Sequence, residues 1–220
     1  MRNWITYGNR VYLSGIAGEG SGGIGDQTRT ALDILDSRLA EVGTDREALL
    51  TVHIWLKDMA LFHEMTAVWN DWIGASDPPS RSCVSGGSLQ PGSLIQVVAT
   101  ASIPGSQENN LLIERFGMVR GGGRPTMCLG LAYGDWFTVC TLASDSSQDI
   151  TGQTKQILRD FDTFLAEAGT DKSRILTVDI WLKRMSDGDV VNDVLMSWFI
   201  PGQLPGRSCV RADMARPEML

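Results

Sequence analysis

Two arginines head the same four-residue string, Arg81-Ser82-Cys83-Val84 and Arg207-Ser208-Cys209-Val210. A guanidinium is planar and always charged, and it can give two parallel hydrogen bonds to one carboxylate. Such a clamp, met twice, points to a small carboxylate-bearing metabolite as partner. Where that metabolite carries an enamine or imine beside its carboxylate, the clamp leaves the reactive carbon facing water, and holding reactants in contact can lower a barrier by several kcal/mol. Imines hydrolyse readily, so little acid or base strength is required. Arg81 and Arg207 are therefore the candidate catalytic residues.

Other chemistries fit less well. The four cysteines, Cys83, Cys128, Cys140 and Cys209, form no Cys-x-x-Cys pair, and the only histidines are His53 and His63. No metal site, no cofactor and no disulfide are expected from that set. A covalent cysteine would need a base, yet the sites equivalent to His53 and His63 in the repeat below carry Asp179 and Asp189, so both histidines are expected to face solvent. With a net charge of -7 and no run of Lys and Arg, nucleic acid is not the expected partner. No stretch reaches about 18 consecutive apolar residues, and the first residues lack the pattern of an export signal, so no membrane partner and a cytoplasmic location are expected. The cluster Gly121-Gly122-Gly123-Arg124-Pro125 lacks the spacing and lysine of a phosphate-binding loop and reads as linker.

The elements that must position these arginines are repeated with them. Gln27-Thr28 recurs as Gln153-Thr154, Leu50 to Lys57 as Leu176 to Lys183, and Arg81 to Val84 as Arg207 to Val210. The separation is constant: 153 − 27, 176 − 50 and 207 − 81 all equal 126. One ancestral unit has been duplicated without insertion or deletion between these landmarks.

Within the unit, Val11-Tyr12-Leu13 reads as a strand. Gln27 to Val42 places Ala31, Leu32, Leu35 and Leu39 at helical spacing before the stop signal Gly43. Leu50 to Leu56 alternates as a strand, Leu61 to Ile73 is a second helix ended by Pro78-Pro79, and Ser82 to Gly86 and Leu94 to Ala101 are strands. Asp45 and Asp171 are expected to cap turns, and Trp55 and Trp181 to pack. That order is most economically packed as an α+β unit with both helices on one face of a mixed sheet. The expected organisation is a first domain over 1–105, a linker over 106–125 and a second domain over 126–220. Adding 126 to Gln96 gives 222, beyond Leu220, so the second copy is expected to lack its last strand in the sequence as given.

Ser14-Gly15 closing a strand, Gln27-Thr28 opening a helix, Ala40-x-x-Gly43, Leu56-Lys57-Asp58 and above all the Arg-Ser-Cys-Val string resemble the RidA (YjgF, reactive intermediate deaminase) family, over nearly the whole chain and twice. The resemblance implies chorismate-mutase-like βαβαββ units that assemble as trimers with pockets between neighbouring units. It also implies hydrolysis of enamines or imines such as 2-aminoacrylate to a 2-keto acid and ammonia. By the same resemblance Arg81 and Arg207 bind the carboxylate, Cys83 and Cys209 line the pocket, and Ser14 is the strand-end serine, replaced by Cys140 in the second copy. The family's helix asparagine falls on Thr66 in the first copy and Asn192 in the second. Its water-positioning glutamate falls on Gln96, an amide that can orient water but cannot take its proton. Two other readings stand beside this one: a carboxylate-binding or regulatory module without turnover, and an endoribonuclease, an old label on some relatives. Open sheet edges favour association, and a homotrimer of tandem chains, or else a dimer, is expected.

Overall fold

The computed structural model describes residues 3–86, 89–103 and 111–220. Its first unit, Met1–Cys140, opens with strands β1 (Trp4–Tyr7), β2 (Arg10–Leu13) and β3 (Ile16–Ala17), followed by helix α1 (Ile24–Val42). Next come β4 (Leu49–Leu56), α2 (Phe62–Ile73), β5 (Ser80–Ser85) and β6 (Ile95–Ser102). The unit closes with β7 (Ile113–Val119), β8 (Met127–Tyr133) and β9 (Trp136–Val139). The sheet runs β1-β2-β6-β4-β5-β8-β7, with β3 paired to β6 and β9 to β8.

β4 organises this unit. It pairs in parallel with β5 and antiparallel with β6, so that Val52, Ile54 and Leu56 share one face with Val97, Ala99 and Ile95. All six are buried, together with Ala31, Leu32, Leu35 and Leu39 of α1, as the helical spacing requires. Each such leucine contributes roughly 1.5–3 kcal/mol through burial. α1 stops at Gly43, whose φ of 82° is left-handed. α2 likewise stops at Gly74 with φ 56°, ahead of Pro78-Pro79. The helix is thus ended by a residue free to take positive φ, and the prolines begin the approach to β5.

Two buried glutamines explain the repeated Gln-Thr pair. The Gln27 amide donates to the carbonyls of Gly20 and Gly92 and accepts from the Leu94 amide at 2.7 Å, tying the start of α1 to the loop that leads into β6. In the second unit, Thr141–Leu220, Gln153 donates to the carbonyls of Gln148 and Glu218 and accepts from the Leu220 amide at 3.1 Å. Leu94 and Leu220 differ by 126, so the chain follows the same path to its last residue. Thr28 and Thr154 bond back to the carbonyls of Ile24 and Ile150.

The second unit contains α3 (Ile150–Glu167), β10 (Thr177–Leu182), α4 (Gly188–Trp198) and β11 (Gly206–Arg211). β10 and β11 pair in parallel with Val178 opposite Arg207, the register in which Val52 lies opposite Arg81. Its core gathers Leu158, Leu182, Val191, Val194, Leu195 and Phe199. Smaller features repeat as well. Asp45 and Asp171 cap the turns that follow them, accepting from Glu47 and Ser173 amides. Arg46 lies over the Trp72 ring while Asp36 accepts from both, and Lys172, Trp198 and Asp162 occupy the equivalent places, Lys172 over the ring and Asp162 accepting from it.

Part of the stretch read as linker is structured. Residues 106–110 lie outside the described residues, but Ile113–Val119 forms β7, antiparallel to β8, and Gly121 to Gly123, all at positive φ, make the turn between them. Residues 127–139 of the second sequence copy are built into the sheet of the first unit, because β8 extends it beyond β5. β1, β3 and β8 were not foreseen, since none alternates clearly between apolar and polar residues, whereas β9 is the counterpart of β2. No described helix is long and apolar enough to cross a membrane.

Candidate functional site

Arg81 stands on β5 opposite Val52, and alternation along the strand turns its side chain to the helix-covered face. There α2 presents Phe62, Met65, Thr66 and Trp69, spaced three, one and three residues apart on a single helical stripe. Arg81 is 2% exposed. Its Nη2 donates to the Met65 sulfur at 3.2 Å and the Thr66 hydroxyl at 3.5 Å, and the rings of Trp69 and Phe62 lie 4.9 and 5.9 Å from its central carbon. Nε and Nη1, which carry three of the five N–H groups, have no hydrogen-bond partner. No ion pair neutralises Arg81 among the described residues. Burial away from water depresses its pKa, an effect opposed by Cys83.

Cys83, two residues on, shares this face opposite Ile54. Burial pushes its thiol up to about 11, and the neighbouring Arg81 opposes that shift only in part. A thiol so shifted is a poor nucleophile at neutral pH. Below both pKa values its thiolate fraction falls about 100-fold short of that of a thiol at its ordinary 9.0. Cys83 is therefore expected to alkylate with iodoacetamide at pH 8 about 100 times more slowly than a free thiol. Its rate should climb as pH approaches 11, and peptide mass spectrometry over a pH series measures both.

Gln96 lies elsewhere. It sits opposite Trp55, on the sheet face that also carries His53 and Ser82 and not on the face of Arg81. Gly15 packs against its amide so closely that a Cβ there would come within 2.3 Å of Nε2, so a larger residue beside Ser14 would require the Gln96 side chain to move. The Ser14 hydroxyl donates to the Asn3 carbonyl at 2.8 Å, and Arg38 donates to the Ser14 carbonyl. The structure thus brings Arg81, Thr66 and Cys83 together and sets Gln96 apart from them. His53, expected in solvent, is half-buried with Nδ1 2.7 Å from the Ser82 hydroxyl, which the β4–β5 register sets beside it; His63 is exposed.

The second copy repeats the pairing in a different environment. Arg207 is exposed and donates to the Asn192 side chain at 2.7 Å, just as Arg81 meets Thr66, and Cys209 packs against the core of its unit. Ser208 donates to Asp179 at 2.6 Å, where the first copy has His53 and Ser82. Cys140 belongs to the first unit; its amide donates to the Leu129 carbonyl, and burial pushes its thiol up to about 11. Sequence reasoning missed the aromatic and thioether surround of Arg81. Its signal was present in the spacing of Phe62, Met65, Thr66 and Trp69, which marks one side of α2 as facing β5. No group of three or more His, Cys, Asp or Glu side chains suited to a metal ion occurs among the described residues.

The family model described as endoribonuclease L-PSP matches residues 2–103 and 140–220. A RutC family protein of Haemophilus ducreyi is 38% identical over 75 residues, 34% of this chain and 64% of that protein. A RutC family protein of Haemophilus influenzae is 30% identical over 77 residues, 35% of this chain and 66% of that protein. The chain therefore spans just under two thirds of the length of these curated relatives. Among solved structures, a YjgF-family protein of Neisseria meningitidis is 31% identical, with a TM-score of 0.44, covering 46% of this chain and 85% of that one.

Proposed function

The chain belongs to the RidA/YjgF family, and from that premise we propose that its first unit binds a small carboxylate-bearing metabolite at Arg81 and hydrolyses an enamine or imine adjacent to that carboxylate, releasing a 2-keto acid and ammonia. The observation that carries this reading is the unneutralised, buried guanidinium with two nitrogens lacking partners. An isolated buried charge is costly, by several kcal/mol even after relaxation. A bound carboxylate offsets that cost and meets the idle donors, in surroundings where charge-assisted hydrogen bonds are strong. Met65, unbranched and freely rotating, is the side chain that yields to admit it, since it covers Nη2. Once the carboxylate is held, the Thr66 hydroxyl is the polar group placed to orient water beside it. Arg207, exposed and engaged with Asn192, contributes less.

The test is to generate 2-aminoacrylate in solution and follow pyruvate. Wild-type protein is expected to accelerate its formation, Arg81→Ala to lose that acceleration and Arg207→Ala to keep most of it; a wild-type rate equal to buffer alone rejects the reading. A second reading, binding without turnover, is favoured by one observation: Gln96, an amide, lies across the sheet from Arg81. It is distinguished by calorimetry with a panel of 2-keto acids, which would give saturable, Arg81-dependent heat from a protein that turns nothing over.

A further inference from the structure

In the second unit, α3 and α4 leave a groove of about 210 Å³ between them, open to solvent. Its apolar floor is Leu158 and Val194, both core residues, and Trp198 stands at one end. The Trp198 indole donates to Asp162 at 2.9 Å, which occupies that carboxylate and fixes the ring, and Lys172 sits over the ring 5.2 Å from its centre. About one turn back along α3 is Arg159, and a further turn back is Lys155, both exposed. Neither is in an ion pair among the described residues, although Asp160 lies next to Arg159 and feels its charge. Ser197, whose hydroxyl donates to the Val194 carbonyl, completes the wall without adding a charge.

The first unit shows which of these residues the fold itself requires. Subtracting 126 gives Leu32, Val68, Asp36 and Trp72, the same residue types, with the same bond from indole to carboxylate. The remaining places differ: Arg29 stands for Lys155, Asp33 for Arg159 and Asp71 for Ser197. Arg29 is itself paired with Asp26, where the second copy has Gly152. The packing pieces are therefore common to both copies, while the charge along the groove changes from acidic to basic. Packing does not account for that change, because Asp33, Asp71, Lys155 and Arg159 are all exposed. Two cations one helical turn apart, free of ion pairs and beside an apolar floor with an aromatic wall, suit a flat apolar body that carries an anionic group.

We propose that this groove binds a small aromatic anion, its ring against Leu158, Val194 and Trp198 and its carboxylate or phosphate between Lys155 and Arg159. Asp162 sets the orientation, because its negative charge at the Trp198 end repels the anionic group toward the two cations. Arg159 offers a planar fork and Lys155 a point charge, a combination that either head group accepts. The groove is smaller than the roughly 300–1,000 Å³ of pockets for drug-sized ligands, so the ligand is a single-ring compound. The proposal concerns the second unit alone and survives failure of the chemistry proposed at Arg81.

Labelling the tryptophans of the full chain with ¹⁵N gives each indole N–H its own NMR signal, and Trp198→Phe and Trp72→Phe identify the two that matter. Titrated with phenyl phosphate or benzoate, the wild-type Trp198 signal is expected to shift saturably with a Kd of about 1 mM or lower, while that of Trp72 stays in place. Lys155→Gln and Arg159→Gln should each weaken binding about tenfold, and the double variant should abolish it. Arg159→Lys keeps the charge and should keep most of the binding. Inorganic phosphate lacks the ring and benzyl alcohol lacks the charge, so each should bind at least about tenfold more weakly than phenyl phosphate. The tighter of the two aromatic anions identifies the head group. Arg81→Met should leave the Trp198 titration unchanged, which separates this groove from the carboxylate site of the first unit. The proposal is overturned if neither aromatic anion gives a saturable Trp198 shift up to about 10 mM, ten times that Kd. Equal shifts at Trp72, binding that persists in the double variant or is lost with Arg81→Met, or inorganic phosphate binding as well as phenyl phosphate overturn it too.

Discussion

Arg81→Met is expected to make the protein more stable while abolishing its affinity for small carboxylates. Two effects oppose each other at this position. Removing a buried charge that lacks an ionic partner relieves a penalty, and apolar replacements of buried ionic groups have proved neutral to stabilising by about 1–4 kcal/mol. Against this stands the loss of the cation–π contacts with Trp69 and Phe62, worth about 2 kcal/mol when desolvated. Methionine fills much of the same space beside Met65, so little cavity is left. With the penalty at the upper end of its range, a net gain of up to about 2 kcal/mol should appear as a higher urea midpoint with unchanged slope. Binding moves the other way: losing a two-pronged contact worth about 3 kcal/mol weakens a carboxylate ligand by 100-fold or more. Arg207→Met serves as the comparison, because an exposed arginine should change stability by less than about 0.5 kcal/mol. A variant at position 81 that melts earlier and still binds would mean the guanidinium is a structural strut.

The second large effect comes from one substitution made at two equivalent places. Leu50→Ala should destabilise the first unit by about 2–5 kcal/mol, because Leu50 is fully buried among Cys128, Leu131 and Tyr133 and its loss leaves a cavity. Leu176→Ala, measured at a dilution where chains are separate, should change stability by no more than about 0.5 kcal/mol, since that leucine stands in water. The sequence around the two is the same, Leu50-Thr51-Val52 against Leu176-Thr177-Val178, so only the tertiary environment can separate them. Urea unfolding followed by circular dichroism reads the difference, and equal losses at the two sites would contradict the environments described here.

Much of the fold was legible because its signals are local. The spacing of Ala31, Leu32, Leu35 and Leu39, the left-handed stop at Gly43 and the alternation of Val52, Ile54 and Leu56 each follow from backbone period and steric freedom alone. Other features were hidden because they depend on distant partners. β7 was read as part of a linker, since nothing in Ile113 to Val119 announces pairing until β8 lies beside it. Gln96 and Arg81 could be counted onto their strands, but the faces they take follow from the β4–β5 and β4–β6 registers. His53 likewise read as a surface residue until the β4–β5 register set it beside Ser82.

By itself, then, the sequence established the duplication, the α+β unit, the family resemblance and the placing of one arginine per copy, all of which depend on residue type, spacing and the constant offset of 126. Tertiary structure showed that the two arginines are not equivalent. Arg81 is sealed under α2 with donors unmet, whereas Arg207, in the same string and the same register, is bathed in solvent beside Asn192. The physical reason is that burial belongs to the neighbours a strand acquires. α2 covers Arg81 with Phe62, Met65 and Trp69, where the equivalent places on α4 hold Gly188, Val191 and Leu195, and among the described residues β11 pairs with β10 alone while β5 also meets β8.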